Sequence, residues 1–161
     1  GFAGRIGHVS IDLNGRKCVC GNRGCWETYV SEKALIHRYL EIAGKNESSE
    51  TINTEKIMKL VKDADSYAIS TIHEMAEYLG IGIANIFNFL NPGLIVIGNS
   101  MSLLDNTLYH PLNHVIQQKV LPVLKKSARF TFSTLGENAI VLGTTALVVD
   151  HVFSTPTVRV N

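Results

Sequence analysis

Gly4-Arg5-Ile6-Gly7-His8-Val9-Ser10-Ile11-Asp12-Leu13-Asn14-Gly15-Arg16-Lys17-Cys18-Val19-Cys20-Gly21-Asn22-Arg23-Gly24-Cys25-Trp26-Glu27 is the stretch from which the rest of the chain is read. It holds all three cysteines of the 161-residue sequence, with His8 upstream of them. Gly7, Gly15, Gly21 and Gly24 are interleaved, and glycine lets a backbone fold tightly about a point. Three thiols and one imidazole are a complete tetrahedral set for Zn2+. Cys18 and Cys20 offer two ligands from one short turn, Cys25 returns after Gly21 and Gly24, and His8 closes the shell. No position is left for water, so the expected ion is structural rather than hydrolytic. The alternatives are three unrelated thiols, or one disulfide plus a free cysteine. The odd cysteine count, and no visible secretory signal, weigh against a disulfide framework.

At 45% hydrophobic and 18% charged residues the composition is that of a folded globular chain, not a disordered one. The net charge is +1, without a run of Lys or Arg, which argues against a nucleic-acid-binding surface within these residues. Asn, Gly or His interrupts every apolar stretch before it could span a bilayer, so no membrane segment is expected. Thiols held by an ion fit a reducing compartment, and the expected location is cytoplasmic. Residue 1 is Gly and the motif begins almost at once, so a partial chain is expected.

Outward from the motif, Val9, Ile11 and Leu13 alternate with polar residues and predict a half-buried strand, turned back at Asn14-Gly15. Ser31 predicts a helix N-cap, followed by the apolar face Leu35, Ile36, Tyr39, Leu40 and Ala43. A polar loop is expected over 45–53 and a short helix, capped by Thr54, through Lys62. Asp65 is expected to cap a long helix to about Leu90, with Gly80 and Gly82 inside it where another backbone packs closely. Asn91-Pro92-Gly93 predicts a turn, and Leu94-Ile95-Val96-Ile97 a central strand covered on both faces. A helix over 107–121, a strand over 129–135, a helix over 138–153 and a loose tail over 154–161 complete the chain.

This alternation is α/β. So few strands lead to the expectation that partner strands belong to a preceding segment, or that these residues are one lobe. Phe87, Phe89, Phe130, Phe132 and Tyr39 are expected in the core. His37, His73 and His151 read as ordinary helix side chains. His110 and His114 are separated by Pro111 and have no third ligand near in sequence, which argues against a metal there.

Gly7-His8, then Gly15-x-x-Cys18-x-Cys20-Gly21-x-x-Gly24-Cys25-x-Glu27 and Ser31, resembles the signature of the ROK family of repressors, open reading frames and sugar kinases. The similarity continues through Gly80-Ile81-Gly82-Ile83-Ala84-Asn85, Leu90-Asn91-Pro92, the Ile95-to-Gly98 segment and Leu142-Gly143, and so covers nearly the whole chain. It implies a ribonuclease-H-like, actin/sugar-kinase fold. Residues 1–161 would be its carboxyl-terminal lobe: a zinc loop (1–30), an α/β core (31–153) and a tail (154–161). An upstream lobe and any winged-helix DNA-binding domain would lie outside these residues.

The resemblance also implies that His8, Cys18, Cys20 and Cys25 bind zinc. Glu27 would accept hydrogen bonds from sugar hydroxyls, and His8 would touch the sugar with its second ring nitrogen. Family kinases carry Glu where this chain has Arg5. Arginine has no acceptor, so the sugar contact at Arg5 is lost, altered in specificity or redirected to a phosphorylated or acidic ligand, unless Arg5 turns away to pair with a carboxylate.

The catalytic carboxylate and the Asp-x-Gly-x-Thr phosphate loop of family kinases lie upstream of this motif, and neither is in these residues, so this chain is not expected to be an enzyme. Asn99 and Ser100 follow Gly98 where the kinases tend to have further glycines, and would crowd a nucleotide. The wording of 21–35 is most similar to the family's xylose-repressor-type regulators. The implied function is the effector-binding and dimerisation region of a sugar-responsive transcriptional repressor, a homodimer reaching DNA through a separate amino-terminal domain. A fragment of an ATP-dependent sugar kinase is the alternative.

Overall fold

The apolar repeat between Ala68 and Phe87 forms the axis of the fold. The computed structural model describes residues 4–44 and 52–154, with Asn99, Asp105, Asn106 and Glu137 as backbone only. Helices α1 (Glu27–Val30), α2 (Glu32–Ile42), α3 (Thr54–Lys62) and α4 (Ser66–Leu90) precede strand β1 (Ile95–Ile97). Helix α5 (Asp105–Lys119), strand β2 (Phe130–Phe132) and helix α6 (Ala139–Ser154) follow. The predicted loop over 45–53 and tail over 154–161 fall mostly outside the described residues.

Three helices start on side-chain caps. Ser31 accepts from the Ala34 N–H at 3.2 Å, Asn53 from Lys56 at 2.9 Å and Asp65 from Ala68 at 2.7 Å. Each satisfies an amide that the helix leaves unpaired. Asn53, not Thr54, caps α3; the Thr54 hydroxyl instead donates to Glu32 Oε1 at 2.8 Å and ties α3 to the start of α2. Asn91, in the left-handed conformation (φ 44°), ends α4.

Ala68, Ile72, Met75, Ala76, Leu79, Ile83 and Phe87 recur at helical spacing and are buried against Leu108, Leu112 and Ile116 of α5. The approach is close because Gly80 has no side chain. A Cβ there would stand 2.6 Å from Val115 Cγ1. Asn88 locks the far end of the pair: its Nδ2 donates to the Lys119 carbonyl at 3.1 Å and its Oδ1 accepts from the Leu121 N–H at 2.9 Å.

β1 and β2 are parallel, with Ile95 opposite Phe130 and Ile97 opposite Phe132, and α5 is their crossover. Five expectations are corrected here. β1 is not covered on both faces among the described residues: it pairs with one strand, and Val96 is 58% exposed. β2 is three residues long because the chain turns away at Ser133-Thr134-Leu135. Phe89 lies outside the core, 87% exposed, on the rim of a hollow between α4 and the residues around Ile6, Val9 and Trp26. Side chains rather than a backbone fill the space beside Gly80 and Gly82. Val9–Leu13 is not a strand: a 3-10 turn over Ile6–His8 and a turn closed by the Gly15 N–H on the Asp12 carbonyl interrupt it, leaving two pairing hydrogen bonds, Ile11 N to Gly24 O and Trp26 N to Val9 O.

Candidate metal centre

Residues 4–26 contain only a 3-10 turn and isolated bridges as regular structure, so turns and two aromatic side chains hold them together. Gly24 takes a positive φ of 67°, and any Cβ there would run into the Asp12 carbonyl. The Tyr29 hydroxyl accepts from the Arg16 N–H at 3.1 Å and donates to Asp12 Oδ2 at 3.2 Å. The Arg16 guanidinium lies 4.7 Å from the Tyr29 ring centre and donates to the Thr28 carbonyl at 2.9 Å. Trp26 fixes the loop to the core. Its indole N–H donates to the Tyr78 carbonyl of α4 at 2.8 Å, and its ring occupies the space that a side chain at Gly82 would need. Glu74 adds ionic ties, to Arg38 Nε at 2.7 Å and to Arg16 at 3.8 Å.

This scaffold brings His8, Cys18, Cys20 and Cys25 together, with one ligand atom of each within 4.8 Å of all the others. His8 Nδ1 is 3.6 Å from Cys18 Sγ, and Cys20 Sγ is 3.5 Å from Cys25 Sγ. Cys25 and Cys18 are buried, while Cys20 is exposed. The cluster could hold a metal ion, and its four members are the residues that the spacing singled out. Glu27, the first residue of α1, joins them: its Oε1 lies 3.1 Å from Cys18 Sγ and 3.3 Å from His8 Nδ1. Gly7 makes room for that carboxylate, since a Cβ there would be 3.3 Å from Glu27 Oε2. Arg5 is exposed; its carbonyl accepts from the His8 N–H at 3.1 Å.

The three thiols are unlike one another. The Cys20 backbone amide favours the Cys18 thiolate, but the Glu27 carboxylate and burial outweigh it and leave Cys18 pushed up to about 12. Hydrogen bonding from the Asn22 amide, then from Cys18 and Cys25, pulls Cys20 down. Burial pushes Cys25 up. A cation held between them would favour the thiolate form of all three.

Sequence reasoning missed the anchoring role of Trp26 and the first turn of helix at Glu27–Val30. Trp26 is the single tryptophan, beside the last cysteine, and that was the available signal. His110 and His114 sit on α5, where His114 Nε2 meets Gln118 at 2.8 Å. Among the described residues no helix is long and apolar enough to cross a membrane.

Over 151 residues the chain is 37% identical to a xylose repressor of Bacillus spizizenii, covering 94% of this chain and 38% of that relative. It is 33% identical over 153 residues to a glucokinase of Halalkalibacterium halodurans, covering 89% of this chain and 46% of that one. The chain thus spans less than half the length of either. A crystal structure of a ROK family glucokinase from Streptomyces griseus, with glucose and AMPPNP, superposes with a TM-score of 0.81 at 23% identity, over 90% of this chain and 51% of that one. The α/β arrangement is therefore that of ROK sugar kinases. The ROK family profile matches residues 1–151, and the chain belongs to the ROK family.

Proposed function

We propose that this chain is the effector-reading region of a sugar-responsive transcriptional repressor, with a structural zinc ion holding the reading groups in place. The observation that carries the proposal is that Glu27 lines a hollow of about 520 Å3 while its Oε1 stands 3.3 Å from His8 Nδ1. That volume suits a small-molecule ligand.

The donor set fits zinc. Bonds of about 2.3 Å to sulfur and about 2.0 Å to nitrogen in a tetrahedron put sulfur atoms roughly 3.7 Å apart and sulfur–nitrogen pairs slightly closer. The Cys20–Cys25 and Cys18–His8 separations, 3.5 and 3.6 Å, are of that size. Zinc would supply rigidity, neutralising the thiolates and fixing the His8 ring through Nδ1. Nε2 of His8 is then the atom offered to a sugar hydroxyl, and Glu27 is the acceptor for another. Arg5 stands in the sequence where family kinases have glutamate, and a cation in place of an acceptor would alter the choice of sugar.

The repressor reading draws on the 37% identity with a xylose repressor, and xylose is the first effector to test. It places the DNA-binding domain and a second lobe outside this chain and makes the protein a homodimer. The exposed apolar side chains of α6, among them Val141, Leu147, Val152 and Phe153, are the surface such partners would cover. The 33% identity with a glucokinase favours the alternative, a piece of an ATP-dependent sugar kinase.

The test uses the full-length protein that contains this chain. Titrating neutral and phosphorylated sugars against its complex with operator DNA should release the DNA with one of them, and Glu27→Ala should abolish the response. No release by any sugar overturns the repressor reading, and ATP-dependent phosphorylation of a bound sugar establishes the kinase.

A further inference from the structure

We propose that Cys20 is an oxidative modification site, at which a peroxide joins Cys20 to Cys25 and expels the ion; the expulsion rests on the metal reading above. The geometry of the turn carries the argument. The Gly21 N–H donates to the Cys18 carbonyl at 3.1 Å, which puts Val19 and Cys20 at the two corners of the turn. Val19 is 99% exposed and Cys20 is exposed beside it, whereas Cys25 is completely buried. The cluster is thus open to solvent at one sulfur. That sulfur already stands 3.5 Å from its resolving partner, Cys25 Sγ. A solvent-accessible cysteine sulfur within reach of a second one is the arrangement that peroxides oxidise reversibly. Cys18 is the less suitable partner, because its Sγ is turned onto Glu27 Oε1 and His8 Nδ1. A Cys20–Cys25 bond also closes across a hairpin already paired at Lys17 and Arg23, so the backbone need not open.

The chemistry balances. The Cys20 thiolate attacks one peroxide oxygen; the O–O bond breaks, a sulfenic acid forms, and the departing hydroxide takes a proton to become water. The Cys25 thiolate then attacks the Cys20 sulfur; the S–S bond forms, the S–O bond breaks, and the second hydroxide leaves as water. Two thiolates, one peroxide and two protons become one disulfide and two waters. The sulfurs give up the two electrons that the peroxide gains. His8 and Cys18 remain as two ligands of four, too few to retain the ion.

The test is to treat the purified chain with a small molar excess of hydrogen peroxide, following zinc with a chromogenic chelator and mapping thiols by mass spectrometry. The expected result is loss of the one bound ion per chain together with loss of two hydrogens, mapped to a Cys20–Cys25 link. Dithiothreitol and added zinc should reverse both. Cys18→Ser keeps the reacting pair and should still form the link; Cys20→Ser should not. A sulfinic acid on Cys20 with Cys25 unmodified, a link through Cys18, or thiols unchanged at a peroxide dose that oxidises free cysteine would each overturn the proposal. A purified chain containing no zinc overturns the metal reading alone, because the mapped link still decides where oxidation occurs.

Discussion

A methyl group at position 82 would be driven into the Trp26 indole, and this one contact joins the cysteine loop to the long helix. Overpacking of this kind costs about 1–3 kcal/mol. Gly82→Ala is therefore expected to lower the denaturant midpoint and to red-shift the fluorescence of the single tryptophan as the indole loses its place. Unchanged emission would mean that the loop is held from elsewhere. Cys18 makes a second residue-scale prediction. Its thiol is pushed up to about 12, so it is protonated at neutral pH when no ion is present, and binding must expel that proton. Protons compete with the metal, so zinc affinity should rise with pH. Competition against a calibrated chelator between pH 6 and pH 8 should show it strengthening by up to about tenfold per unit for each proton released. A flat profile would refute the thiolate assignment.

At the scale of elements, α4 depends on how it starts and on what its flank holds. Asp65 Oδ1 accepts from the Ala68 amide at 2.7 Å, and Asp65→Ala should cost about 1 kcal/mol in thermal or urea unfolding. Arg38 reaches both Glu74 of α4, at 2.7 Å, and Glu41 of its own helix, at 2.9 Å. The hydrogen bond from Arg38 is the main cause that holds the Glu41 carboxyl below the usual range. A depressed carboxyl stabilises the folded state above its unfolded value, and that contribution is lost as pH falls through the folded one. An Arg38→Met variant should therefore show a smaller loss of stability on acidification than the parent, measured by unfolding at a series of pH values. Exposure of the pair keeps the difference small.

At the scale of the molecule, the cysteine loop and the helical core are held by different means. The core is a continuous apolar cluster running from Leu35 through α4 and α5 to Phe132. The loop has turns, a few side-chain hydrogen bonds and the His8–cysteine cluster that could hold an ion. Chelating the metal should consequently disorder residues 4–26 while leaving most helical circular dichroism in place. The tryptophan signal should change at a lower chelator concentration than the far-ultraviolet signal does. Loss of both together would show that the ion supports the whole molecule.

The sequence by itself determined the cluster, because His8, Cys18, Cys20 and Cys25 lie within one short stretch and glycine-permitted turns suffice to gather them. It determined α2, α3 and α4 for the same reason: apolar periodicity and the Ser31 and Asp65 caps act over a few residues. Only the tertiary structure decided what depends on partners distant in the chain. Trp26 reaches Tyr78 and Gly82, Gly80 admits Val115, and Glu74 gathers Arg16 and Arg38. The same distinction explains the failed strand over Val9–Leu13. Alternation records only which face could be buried, while the Ile6–His8 and Asp12–Gly15 turns, and the lack of a long pairing partner among the described residues, set what the backbone does there. Burial of β1 could not be read from the apolar run Leu94–Ile97 either, because coverage belongs to the neighbours of a strand and not to the strand.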